Sequence, residues 1–303
     1  MNDHDTPYAV DEDTHGQWAF GTSFDAPLSG VDATLAEGIE GADLATYCLM
    51  LADDALISAQ RLAQWCANAP ELEEEMALAN VGLDLLGQAR LLLARAAAAH
   101  PAIVPALPDG SPVPADDALA FFRDEPHFRC LRLVELPNGD FAQSITRLLV
   151  FATFRLATLQ RLRDSRDPVL AAVAAKGVKE VTYHRDYAAR WFLTLAGGTA
   201  ESRRRLEGAI TSVWPYVDEL FAPNPVEQRL AATGAAVDST TLRGEFDDVV
   251  EQVFRAALLP VPAVRAAARV AGRSGRDGTH TEALSYLLAE MQSVARAHPT
   301  GAW

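Results

Sequence analysis

Lysine is almost missing from this 303-residue chain: of 26 basic residues only Lys176 and Lys179 are lysines, and the rest are arginines. Positive charge of either kind is absent from residues 1 to 60, where twelve acids precede the first cation, Arg61. With a formal net charge of −15 there is no basic face of the kind a nucleic-acid binder needs. That acidic end is free to meet a basic partner or simply to stay solvated. Cysteine is scarce too. Cys48, Cys66 and Cys130 are far apart, odd in number and without CxxC spacing, which predicts free thiols in a reducing cytoplasm. No uninterrupted apolar run is long enough to span a bilayer, and no charged-then-apolar leader opens the chain, so neither a membrane partner nor export is expected. Period-two alternation, internal repeats and a Gly-rich phosphate loop are also missing. Seven histidines are scattered without assembling a Ser/His/Asp or Cys/His set.

What is present is helix. Residues 1–33 read as an irregular acidic arm, and 34–303 as one helical domain. A first long helix is expected over about 34–66, with Leu44, Cys48, Leu51, Ala55, Ala59 and Leu62 on its buried face. A short connector returns the chain into a second helix over about 70–99, with Pro70 at its first position and Glu71, Glu73, Glu74 and Glu75 on its positive end. This helix is expected to be the central one. Leu72, Met76, Ala79, Leu83, Leu86 and Leu93 mark its apolar face, and Asn80, Asp84 and Gln88 form one polar stripe in a largely buried rod.

A proline-rich stretch from His100 to Gly139 interrupts the pattern, leaving room for short helices near Asp116–Arg123 and Phe128–Val134. The third long helix (about 140–163) opens on an Asp140 cap with Gln143 three residues on; the fourth (about 168–195) opens on Asp167-Pro168. Two antiparallel helices, a long crossover and two more antiparallel helices is ferritin-like connectivity. The fold class is therefore an all-α, ferritin-like four-helix bundle with additional C-terminal helices. Those extra helices are expected near 199–221 (capped by Thr199, kinked by Pro215), 241–258 and 280–297, the last with a Thr279–Glu282 capping box.

Such bundles often hold two metals on a Glu from each of two helices and a Glu-x-x-His from each of the other two. This chain matches poorly. The first helix offers Asp53 and Asp54. The second offers Asp84 and Gln88, but Gly87 stands where a His is needed. The third has no Asp or Glu between Phe141 and Arg163. The fourth offers Glu180 with His184 four residues on, not three. The expectation is a vestigial polar cluster at the di-iron position, made of Asp53, Asp54, Asp84, Gln88, Lys176, Glu180 and His184, with no catalytic residue and no metal. Lys176 either reaches inward and neutralises Asp84 or Glu180, or forms an exposed i,i+4 pair with Glu180. Tyr47, Trp65, Trp191 and Trp214 read as packing, and His280 as a helix-start residue.

Four stretches carry a resemblance: LADDALISAQRLAQWCANAPELEEEMALANVGLDLLGQARLLL (51–93), FFRDEPHFRCLRLVELPNGDFAQSITR (121–147), AAKGVKEVTYHRDY (174–187) and GRDGTHTEALSYLLAEMQSVARAHPTGAW (275–303). With them the chain, from about Leu44 onward, resembles the C subunits of bacterial phenylacetyl-CoA epoxidases, also called 1,2-phenylacetyl-CoA oxygenases. The resemblance implies a ferritin-like, non-catalytic subunit that binds and stabilises a similarly folded A subunit. That A subunit holds the di-iron centre and epoxidises the aromatic ring of phenylacetyl-CoA with dioxygen. A small B subunit and an iron–sulfur flavin reductase would complete the complex, and this chain would carry no cofactor. The arm is longer and more acidic than the family pattern. The rival expectation is a divergent metal-dependent oxygenase using Asp54, Asp84, Glu180 and His184 as a degenerate site of its own.

Overall fold

The computed structural model describes residues 27–301 apart from Ala268, Val270 and Ala271; residues 1–26 of the expected arm lie outside the described residues. Ten α-helices and no strand occur among the described residues. In order they are α1 (Gly41–Ala63), α2 (Leu72–Ala99), α3 (Ala115–Phe121), α4 (Arg132–Glu135), α5 (Phe141–Leu162), α6 (Pro168–Gly197), α7 (Ala200–Val213), α8 (Pro225–Ala232), α9 (Arg243–Ala256) and α10 (Glu282–Ala297). The four long helices pair as expected. Helix α1 lies along α2, α5 lies along α6, and α2 meets α6 to close the bundle. At that last contact Gly177 is needed for close approach, because a Cβ there would stand 2.9 Å from Leu159 Cδ1 and 3.3 Å from the Gln88 amide.

Several caps follow the sequence. Asp140 accepts from Gln143 N at 3.0 Å, Asp167 from Leu170 N at 2.9 Å and Thr199 from Ser202 N at 3.1 Å. Each satisfies an amide that the first turn of a helix leaves open. Other boundaries move, for identifiable reasons. Helix α1 starts at Gly41, not near 34, because Gly38 sits at φ 81, a left-handed conformation that interrupts a helix. Helix α2 starts at Leu72 behind an extended Glu71, so Pro70 lies before the helix and not at its first position. Pro215 lacks the N–H needed to continue α7, which stops at Val213 and gives way to a 3-10 segment, Trp214–Phe221, instead of kinking. Helix α8 was not expected, although Asn224-Pro225 is a start signal: Asn224 accepts from Val226 N at 2.9 Å. The Thr279–Glu282 box does not form. Thr281 N is taken by the Glu135 carboxylate at 2.7 Å, and the box that exists is Ser274–Asp277 on a short 3-10 turn.

The central helix is α1, not α2. Between Leu44 and Leu62 only Thr46 and Gln60 of α1 escape full burial. Helix α2 buries Leu78, Val81, Leu85, Ala89, Leu92, Leu93 and Ala96, and turns Leu72, Met76, Leu83 and Leu86 outward. Asn80 is exposed, so the expected buried polar stripe reduces to Asp84, half-buried, and Gln88, buried. With its few polar residues included, α2 is long and apolar enough by composition to cross a membrane, contrary to expectation. A soluble bundle helix passes the same test. Arg90 and Arg95 on this helix are salt-bridged to Asp116 and Asp167. Trp65, Phe141 and Trp191 stack edge to face, as do Trp214 and Phe254, and Val237 N donates to the buried Tyr47 hydroxyl, so these aromatics pack the core.

Candidate functional site

The polar residues expected at the di-iron position fall into three groups. Asp53 and Asp54 are consecutive on α1 and both fully buried. Asp53 faces Arg123, which follows α3 in the crossover, and accepts from Arg123 Nη1 at 3.0 Å and Arg129 N at 2.8 Å. Asp54 faces Arg276, which bonds it at 3.0 and 2.8 Å, and accepts from Leu131 N at 2.8 Å. Burial pushes the Asp54 carboxyl up from its ordinary value while the Arg276 charge pulls it back. Burial would lower the Arg276 guanidinium, but Asp54 and Glu227 outweigh it and the net direction is up. Paired in this way, neither carboxylate has a spare oxygen directed at an open position, and breaking such a pair strands a buried charge.

The second group joins α2, α5 and α6. Arg155 of α5 donates to Gln88 Oε1 from Nε at 2.9 Å and from Nη2 at 2.8 Å, and to the Leu51 carbonyl of α1 at 3.1 Å. Gln88 Nε2 in turn donates to Glu180 at 2.8 Å. Burial brings the Arg155 pKa down to about 10, so it remains a cation at neutral pH. Lys176 does not enter. Its side chain is 52% exposed and its Nζ sits 3.4 Å from Glu180, an i,i+4 pair at the rim. The inward neutralising lysine is thus overturned; the cation in the interior is Arg155, from another helix, which reaches Glu180 only through Gln88. The third group is Asp84 with the buried His184, Oδ2 to Nε2 at 3.0 Å.

A di-metal centre does not fit these residues. Two cations need carboxylates with free oxygens from all four helices. Here α5 contributes a guanidinium to the interior, and the α1 carboxylates are held by arginines from outside the bundle. A separate cluster, Cys130, Glu135 and His280, brings three ligand-type atoms within 4.8 Å of one another. It is closed by its own hydrogen bonds: His280 Nδ1 is 2.6 Å from Glu135 Oε1, His280 Nε2 is 3.1 Å from the Phe128 carbonyl, and the Cys130 thiol donates to Glu135. Both ring nitrogens face acceptors, so the cluster ties the start of α10 to α4. Burial, then Glu135, keeps the Cys130 thiol well above its ordinary range, far from the thiolate a soft metal would need.

Arg123, Arg155 and Arg276, with the buried Arg95–Asp167 pair, are the residues that sequence reasoning missed. A signal for Arg155 did exist. Arg147, Arg155 and Arg161 lie on a helix that has no acid, and a cation buried on such a helix must find its partners elsewhere in the core.

A family model described as phenylacetic acid catabolic protein matches residues 33–303. The chain is 41% identical over 260 residues to a protein of Escherichia coli (strain K12), the C subunit of 1,2-phenylacetyl-CoA epoxidase. The match covers 86% of this chain and 99% of that one. The expected arm lies outside the family match. From residue 33 onward, with its crossover-linked helix pairs and arginine-filled interior, this chain belongs to the phenylacetic acid catabolic protein family.

Proposed function

We propose that this protein is a non-catalytic, structural subunit of a cytoplasmic phenylacetyl-CoA epoxidase. In this reading it binds and stabilises a similarly folded catalytic A subunit that carries the di-iron centre, within an assembly that also includes a small B subunit and an iron–sulfur flavin reductase. Its likeness to the Escherichia coli C subunit, over almost the whole of that protein, supports the assignment. The observation that carries the non-catalytic role is Arg155, a buried cation bonded to Gln88 on a helix that has no carboxylate, whereas a di-metal bundle draws one from each of its four helices. The polar cluster is then a charge-balanced brace in which arginines replace metal.

The test is metal content per chain, measured on this protein produced alone with ample iron and again with the candidate A subunit. The expected result is negligible iron in the isolated chain, with the co-purifying partner carrying it. About two irons per isolated chain, the stoichiometry of a di-metal bundle, would overturn the reading in favour of a divergent oxygenase.

A further inference from the structure

Helix α2 presents an apolar seam to solvent. Leu72 is 70% exposed, Met76 57%, Leu83 51% and Leu86 46%, and with the half-buried Ala79 they alternate in steps of four and three residues. This spacing keeps one stripe facing an adjacent helix, as in the seam of a coiled coil. From Leu72 to Leu86 it runs about 21 Å at 1.5 Å per residue. Beside it lies a groove of about 260 Å³ between α1 and α2, floored by Leu56, Ala59 and Gly82 and walled by Ala63, Cys66 and Leu86. Small residues in the floor let another backbone approach closely. Contiguous exposed apolar surface of this kind marks an interaction site.

Along the stretch of chain that carries the seam, the charge has one sign. Residues 62–89 contain Glu71, Glu73, Glu74, Glu75 and Asp84 and no Lys or Arg. Arg61 is the single cation before Arg90, and it is buried with its guanidinium on the Glu135 and Ala283 carbonyls. A second copy of this chain would bring acid against acid under a net charge of −15 each, which opposes self-pairing. A bilayer with anionic headgroups meets the same repulsion.

We infer that the α2 seam and its groove are the docking face for an α-helix of the catalytic subunit. That helix carries an apolar four-three seam flanked by Lys or Arg, the basic end lying against Glu71, Glu73 and Glu75. The inference rests on the structural-subunit reading and adds to it the surface and the chemistry of the partner.

Cys66 is a built-in reporter: it lines the groove and is the exposed thiol, whereas Cys48 and Cys130 are buried. The experiment uses the full chain with the purified candidate A subunit. It measures iodoacetamide alkylation of Cys66 free and in the complex, and the complex dissociation constant for Leu83→Glu, Glu73→Lys and a control, Tyr286→Glu, on the exposed face of α10. Circular dichroism confirms folding of each variant. Alkylation at least tenfold slower in the complex, binding weakened at least tenfold by Leu83→Glu and severalfold by Glu73→Lys, and no change for the control are the expected results. Assembly with Cys66 still fully reactive and Leu83→Glu binding normally would overturn the docking face and leave the structural-subunit reading intact. No assembly by the wild-type chain would instead overturn that reading. Self-association of the isolated chain, or flotation with anionic vesicles, abolished by Leu83→Glu while the A complex survives, would assign the seam to a second copy or a bilayer and overturn the proposal.

Discussion

Helices α1 and α2 run side by side, yet they place their polar and apolar residues in opposite senses. Helix α1 is buried almost throughout, and the groups it hides include Asp53, Asp54 and Arg61, each held by the crossover or the C-terminal segment. Helix α2 turns Gln88, Asp84 and Arg95 toward α5 and α6 and leaves Leu72, Met76, Leu83 and Leu86 to water. The first helix is central, and its buried acids are both ion-paired. The second is apolar enough to be central but stands at the edge with a seam unfilled. Hydrophobic content alone therefore did not rank the two helices by burial. The partners within reach of their charged groups did.

The comparison breaks most severely at Arg276. Its Nη1 and Nη2 hold Asp54, and Nη1 also bonds the Met50 and Arg129 carbonyls. Arg276→Met leaves Asp54 buried and unpaired in the middle of α1, at a cost of about 3–5 kcal/mol, measured as a fall in the urea midpoint. A midpoint within error of wild type would show that α1 does not depend on its clamp.

Two leucines five residues apart sharpen the contrast on α2 itself. Leu78 is fully buried, so Leu78→Ala is expected to cost about 2–5 kcal/mol of stability. Leu83 is half exposed, so Leu83→Ala changes the stability of the isolated chain by about 0.5 kcal/mol or less. Equal losses from the two variants would mean that both faces of α2 are covered in the isolated chain.

A smaller effect separates a buried acid with an arginine clamp from one without. Glu227 of α8 is buried and bonded to Ser239 N and Oγ, and burial raises its carboxyl above the ordinary 4.5 despite the pull of Arg276. For a raised folded-state value, the contribution to stability is complete below 4.5 and is lost as pH rises through the raised value. Glu227→Gln keeps an acceptor for Ser239 and removes the charge. Thermal midpoints of variant and wild type should converge in acid, with the variant gaining as pH rises from 4.5 through the raised value and holding that gain above it. Parallel pH profiles would show that the carboxylate is not strained by burial.

Much of this architecture was legible in the chain, because helix starts are local. Asp140, Asp167 and Thr199 cap where their spacing indicates, and the proline-rich crossover separates two helix pairs as its length requires. The inside and outside of α2 were not legible. Leu72, Met76, Leu83 and Leu86 have the same period as Leu78, Val81, Leu85 and Leu92, and a helix apolar on two faces carries no local mark of which one is covered. The site was half legible. The missing acid on α5 and the broken Glu-x-x-His patterns were visible as absences. The arginines that fill the gap come from α5, the crossover and residue 276, and long-range pairing of that kind leaves no spacing to read.

Lys176 is the mildest and most specific test of that lesson. Were it the interior counter-charge, Lys176→Met would strand Glu180 or Asp84 and cost several kcal/mol, as loss of a buried partner does. With half its side chain in water and Nζ at 3.4 Å from Glu180, it makes a surface pair that solvent screens, while Gln88 Nε2 holds Glu180 from within. The expected loss is therefore about 0.5 kcal/mol or less. Arg155→Met, made alongside it, removes both donors to Gln88 Oε1 and the bond to the Leu51 carbonyl, and is expected to cost several times more. If the two variants lose equal stability, the lysine and the arginine share the interior charge, and the division of α2 into a braced inner face and an open outer seam would have to be redrawn around Glu180.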